Sequence, residues 1–155
     1  MTSTSTITQK IDELKEDFSL FIESGFVAVK QLDGFSAGSI FLAAQMISPE
    51  STAPQVGLGY IALNKLELKE ATNIFEKVME KEPSNHLAQT FLGICYLLQK
   101  QKRKKGEKLI HESIEKSSDP TIKNLGKISL EWAEKDLKKS KAPFFAPPLE
   151  GKKDK

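Results

Sequence analysis

Residues 59–83 read GYIALNKLELKEATNIFEKVMEKEP, and residues 25–49 read GFVAVKQLDGFSAGSIFLAAQMISP. Laid over one another, Gly25, Ala37, Phe41, Ala44 and Pro49 fall on Gly59, Ala71, Phe75, Val78 and Pro83, with identical offsets from the glycine. The period is 34 residues, and it continues: Gly93 lies 34 beyond Gly59, and Gly126 lies 33 beyond Gly93. Leu58, Leu92 and Leu125 precede the last three glycines. A fixed period of this length marks a stacked array of small supersecondary units.

Within each period apolar residues return at helical spacing, as in Ile74, Phe75, Val78 and Met79, and before the first glycine in Ile7, Ile11, Leu14, Phe18 and Ile22. No run alternates as a strand would. Breaks near 31–34, 48–49, 64–67, 82–85, 99–105 and 117–120 divide the chain into about seven helices, so the fold class is all-α. Behind Gly93 the second half of the unit slips by one residue, giving Gly106, Ile110 and Ser113, and the proline is replaced by Ser117-Ser118 ahead of Asp119-Pro120.

The marker pattern has a direct physical basis. A residue without a bulky side chain on the first helix of a hairpin lets the second approach closely, an alanine on the second fits that contact, a phenylalanine fills the gap toward the next unit, and a proline ends the hairpin. Residues 18–119 thus resemble the tetratricopeptide repeat, a helix-turn-helix unit of the same length. The resemblance implies three helical hairpins at about 18–51, 52–85 and 86–119 in a right-handed superhelical array. The chain departs from that family at Gln55 and Gln89, where a large residue is frequent, and at Ala28 and Ala62, where only Tyr96 matches the family's tyrosine.

An array needs closing surfaces. Residues 120–139 place Ile122, Leu125, Ser129, Trp132 and Ala133 on one face, as a capping helix should, with Asp119 as N-cap and Pro120 in the first turn. Residues 1–7, rich in Ser and Thr, are expected to form a disordered tail. Residues 140–155 form a Pro/Lys-rich tail, expected to be flexible, with Phe144, Phe145 and Leu149 as sticky points. One domain, 8–139, remains.

Charge and composition narrow the function. The 155 residues carry 23 Lys plus Arg against 21 Asp plus Glu, a net +2 that offers no strong field for nucleic acid. The one cysteine, Cys95, and two histidines, His86 and His111, form no metal-ligand spacing, and no cofactor or metal is expected. The N-terminus lacks a signal-peptide pattern and no stretch approaches the roughly 18 apolar residues of a membrane span. A cytoplasmic protein without membrane insertion is the expectation.

Gly34-Phe35-Ser36-Ala37-Gly38 matches the G-x-S-x-G pattern of serine hydrolases. That elbow needs a strand before it and a helix after it. The 34-residue register instead puts Gly34 in a turn, Ser36 at a helix start and Ala37 at a helix crossing, so no catalytic residue is assigned. The basic run KQKRKKGEK, from Lys100, reads as a solvated turn.

In a tetratricopeptide array the first helices line the concave surface, and repeat positions 5, 9 and 12 point into it. Here they are Ile22, Phe26 and Val29, then Val56, Tyr60 and Leu63, then Thr90, Ile94 and Leu97. Eight of the nine are apolar or aromatic, which suits the apolar face of an amphipathic helix or an extended apolar peptide. Burial of the same residues within the array, or under the chain's own tail, is the alternative.

A short array with a closing helix and an apolar concavity resembles the small tetratricopeptide chaperones of bacterial type III secretion, and "SSDPTIKNL" (117–125) resembles their needle-subunit branch. The resemblance implies a virulence-associated chaperone that holds a needle subunit in its groove and prevents premature polymerisation, with a small helical co-chaperone as a further partner. A translocator-class chaperone and a generic scaffold are the alternatives, with a serine hydrolase behind them.

Overall fold

In the computed structural model, which describes residues 2–139, Asp33 both ends one helix and starts the next. Its N–H donates to Ala28 O at 3.0 Å, and its carboxylate accepts the N–H of Ser36 at 2.9 Å. The hydrogen bond from Ser36 holds the Asp33 carboxyl below its usual pKa.

The helices in order are α1 (Thr2–Glu16), α2 (Phe18–Lys30), α3 (Gly34–Ile47), α4 (Ala53–Asn64), α5 (Leu68–Lys81), α6 (His86–Leu97), α7 (Arg103–Lys116) and α8 (Pro120–Lys139), with a 3-10 turn at Lys100–Lys102. No strand occurs among the described residues. Helices pair as α2/α3, α4/α5 and α6/α7, and each second helix packs on the first helix of the following pair. The first helices also lie side by side, and α8 covers α6 and α7. The chain is therefore an all-helical array of hairpins, as the period predicts.

The first two hairpins turn identically. Leu32 and Leu66, 34 residues apart, both take left-handed backbone, with φ of 62° and 60°. Around them the N–H groups of Leu32 and Asp33 reach back to Val29 O and Ala28 O, and those of Leu66 and Glu67 to Leu63 O and Ala62 O. This is the Schellman ending, which satisfies the last carbonyls of the helix. The third hairpin lacks it: Gln99 leads into the 3-10 turn, and α7 starts 35 residues after α5 where α5 starts 34 after α3. That turn absorbs the one-residue slip in the sequence register.

The small and large markers meet as the period requires. A Cβ on Gly25 would stand 2.6 Å from the Phe41 ring, and Phe41 also fills the space beside Gly57 of the next hairpin. Phe41, Phe75 and Ile110 are fully buried at corresponding places, each contributing on the order of 2 kcal/mol of transfer free energy. The capping helix closes the far end as expected. Ile122, Leu125, Ser129 and Trp132 are half-buried and Ala133 is buried. Asp119 accepts the N–H of Thr121, and Arg103 pairs with Asp136 at 2.9 Å, tying the start of α7 to the last turns of α8.

The N-terminal part differs from the sequence expectation. An eighth helix appears because the chain breaks at Asp17, whose N–H donates to Leu14 O before Phe21 starts a new ladder on Asp17 O. Residues Thr2–Ile7, expected as a tail, belong to α1, which among the described residues touches α2 and α3 alone and keeps Ile7 and Leu14 exposed. The tail expected at 140–155 lies outside the described residues.

Candidate functional site

The nine residues assigned to the concave surface separate by register position. At position 9, Phe26, Tyr60 and Ile94 are all half-buried. At position 12, Val29, Leu63 and Leu97 are all buried, and at position 5 burial deepens along the array, from half-buried Ile22 through buried Val56 to fully buried Thr90. On a helix, positions 5 and 12 lie seven residues apart on one line, turned by about 40–60° from position 9. That rotation carries them into the packing between neighbouring helices. Val29, Val56, Leu63, Thr90 and Leu97 are therefore core residues in this conformation, and the surface strip is Ile22, Phe26, Tyr60 and Ile94.

Thr90 shows why position 5 closes. Its hydroxyl lies 2.8 Å from that of Ser113 on α7; one of the two donates to the other, and the accepting hydroxyl gives its own proton to a backbone carbonyl, Thr90 to His86 O or Ser113 to Ile110 O, so the buried pair is satisfied. Leu97 packs with Ile110 and Ala133 beneath the capping helix. Gln89, which departs from the family pattern, is also buried and donates to Leu109 O at 3.2 Å, replacing apolar contact by a hydrogen bond between α6 and α7.

The strip rests on a row of rings. Phe26 meets Phe41 edge-on at 5.1 Å and Tyr60 at 5.8 Å; Tyr60 stacks on Phe91 at 5.1 Å, and Phe91 on Phe75 at 5.4 Å. Five rings from five helices thus run from the first hairpin to the third. Each such pair contributes about 0.5–1.5 kcal/mol beyond its buried area. The row makes Phe26 and Tyr60 a rigid apolar platform that loses little side-chain entropy when covered. Phe91 was not singled out from the sequence, and its place one residue after position 5 on the repeat gives no signal without the packing.

Chemistry elsewhere is limited. Ser36 lies in the first turn of α3, preceded by helix α2 and its turn, so the strand that a hydrolase elbow requires is not there. Among the described residues no three His, Cys, Asp or Glu side chains gather as a metal site would need. Cys95 is fully buried, and burial pushes its thiol up to about 11. Lys102 and Lys105 lie over the ring of Tyr96 at 5.2 and 4.7 Å, and burial first, then its hydrogen bond to Glu76, raises the Tyr96 pKa. No described helix is long and apolar enough to cross a membrane.

No family model and no curated protein matches the chain in sequence. Its fold does have counterparts among solved structures. A chain of the "CopN-Scc3 complex" superposes with a TM-score of 0.55 at 16% identity, covering 75% of this chain and 68% of that one. At that identity the likeness is one of fold alone, an all-helical array.

Proposed function

We propose that this protein is a type III secretion chaperone that sequesters an apolar segment of a secreted client on the strip Ile22, Phe26, Tyr60 and Ile94. One observation carries the reading: of the three register positions that the family resemblance assigns to the concave side, one is only half-buried on all three hairpins and is apolar each time. An amphipathic helix offers such a strip a line of side chains at matching spacing. The fold shared with a chain of the "CopN-Scc3 complex" supports it.

The client of choice is a needle subunit, whose polymerising face would be covered while it waits in the cytoplasm. Covering works by mass action, since a chaperone that binds only the monomer draws it away from the filament. Release at the export gate then requires affinity just sufficient to compete with self-assembly. The small co-chaperone implied by the family resemblance would complete a three-chain complex.

The test is co-expression with needle-subunit candidates from the same secretion locus. A soluble one-to-one complex whose client filaments once stripped from the chaperone supports the reading. A client that stays monomeric when released, or binding indifferent to Tyr60→Glu, rejects it.

A further inference from the structure

The passage from α6 into α7 concentrates positive charge. Residues 100–108, KQKRKKGEK, hold six cations and one carboxylate, Glu107, a net +5 in a chain whose total is +2. The rest of the chain is therefore net negative. The run spans the 3-10 turn Lys100–Lys102 and the first two turns of α7. Lys100, Lys102, Lys104, Lys105 and Lys108 are exposed, and Arg103 is half-buried. Of the six, only Arg103 has a carboxylate partner among the described residues, Asp136.

The repeats supply an internal control. The residues leading into the second helices are Asp33 before α3, Glu67 before α5 and Lys102 before α7. The first turn of α5 contains Glu70, whereas that of α7 reads Arg103, Lys104, Lys105. A carboxylate at the N-terminus of a helix favours its dipole and a cation opposes it, so these charges do not serve the start of α7. Nor do they neutralise one another. The ammonium groups of Lys102 and Lys105 share one ring, Tyr96, at 5.2 and 4.7 Å from its centroid, and Glu76 beside that ring accepts the tyrosine hydroxyl.

The spacing is that of a ladder. Lys104 and Lys108 stand four residues apart on α7, and Lys105 and Lys108 three, which sets their Cβ atoms about 5–6 Å from one another. Alternate side chains of an extended peptide lie about 6.6 Å apart, so carboxylates on such a peptide meet the lysines in succession.

The surroundings select the kind of anion. A basic surface that binds a membrane sets apolar side chains beside its cations, but among the described residues no strongly exposed large apolar side chain lies between Leu98 and Lys116. Single-stranded nucleic acid is held by stacking on open aromatic rings, and the ring here, Tyr96, is 1% exposed beneath two lysines. A carboxylate-rich polypeptide needs neither. Lysine also suits it, as a point charge on a flexible stem that follows carboxylates without fixed geometry.

We propose that this corner docks an acidic, extended segment of a partner protein, with Lys100, Lys104 and Lys108 on its carboxylates and Lys102 and Lys105 held alongside by Tyr96. None of these residues belongs to the apolar strip, so the two surfaces are kept or lost independently.

Fluorescence anisotropy of a labelled octaglutamate peptide, titrated with the full chain, tests it. The wild type should bind with a dissociation constant on the order of ten micromolar at about 20 mM salt, weakening about tenfold or more by about 150 mM as the charges are screened. The triple variant Lys100→Gln, Lys104→Gln, Lys108→Gln should bind at least about tenfold more weakly and melt no lower than the wild type. Lys30→Gln, Lys77→Gln, Lys127→Gln makes the same change of net charge at exposed lysines elsewhere and should weaken binding less than about twofold. Absence of binding at millimolar peptide, or equal losses in the two triple variants, overturns the proposal. So does a first triple variant that melts lower, since its lysines would then serve the fold. An octathymidine oligonucleotide or phosphatidylserine vesicles that bind more tightly than the peptide, and lose more in the first triple variant, overturn it in favour of nucleic acid or a membrane.

Discussion

The ring of Phe75 occupies the space that a side chain on Gly59 would need: a Cβ there would stand 2.7 Å from Phe75 Cζ, with Ile74 close behind at 3.1 Å. Phe75 is fully buried and cannot swing outward. Gly59→Leu should therefore cost about 1–3 kcal/mol or more through overpacking. Gly38→Ala, at a helical glycine with open space, should instead add up to about 1 kcal/mol of stability. Urea unfolding of both variants gives the contrast, and equal effects would show that the glycine at 59 is not held by packing.

The paired left-handed leucines give a second prediction. Leu32 and Leu66 hold a conformation that costs a side-chain-bearing residue about 1–2 kcal/mol, whereas glycine adopts it freely. Glycine also raises the entropy of the unfolded chain, offsetting part of the gain. Leu32→Gly, at a position with almost no packing to lose, should stabilise the protein by about 0.5–1 kcal/mol in thermal melts. Leu66→Gly should gain less, because Leu66 is more covered. A loss in both would mean that the turns are set by contacts of the leucine side chains.

How far the sequence carried the fold can be read from these same residues. The meeting of Gly25 with Phe41 and Gly59 with Phe75 was legible because a small residue and a large one recur at a fixed offset, and that offset is a distance along a hairpin. The break at Asp17 was not, since neither glycine nor proline marks it and the apolar spacing runs on through Phe18. The site was legible in part. Register placed Phe26, Tyr60 and Ile94 on one side, but it could not tell that the rotation between positions 9 and 12 takes Val29, Leu63 and Leu97 out of reach. Thr90 was lost for a different reason: its partner, Ser113, arrives only through the slip before α7.

Cys95 ties stability to alkaline pH. Its thiol is held neutral in the fold by burial, with a pKa of about 11 against 9.0 for the free group. A raised pKa means that the stability it contributes is complete below pH 9 and is lost as pH rises toward 11. The native protein should therefore resist alkylation at pH 8 and become reactive only with unfolding, in step with the urea transition. Labelling of the native state at a rate typical of an exposed thiol would show that α6 opens locally at Cys95.

Tyr60 and Thr90 were placed on the same surface by sequence, and the structure sets them apart by burial alone. Tyr60 is half-buried on the ring platform, whereas Thr90 is fully buried between α6 and α7. In Tyr60→Glu the new carboxylate reaches water, and what is lost inside the chain is stacking worth about 0.5–1.5 kcal/mol for each of its two ring contacts. The variant should still melt cooperatively while client binding falls about a hundredfold or more, and Tyr60→Phe should bind as the wild type does. Thr90→Glu places a charge beside the Ser113 hydroxyl and the His86 carbonyl in a fully buried site, at a cost of several kcal/mol, and should unfold the third hairpin. Circular dichroism with a client-capture assay on the three variants separates surface from core: loss of the fold in Tyr60→Glu would assign the strip to the core, while client binding by Tyr60→Glu at full strength would leave the fold reading intact and remove the groove.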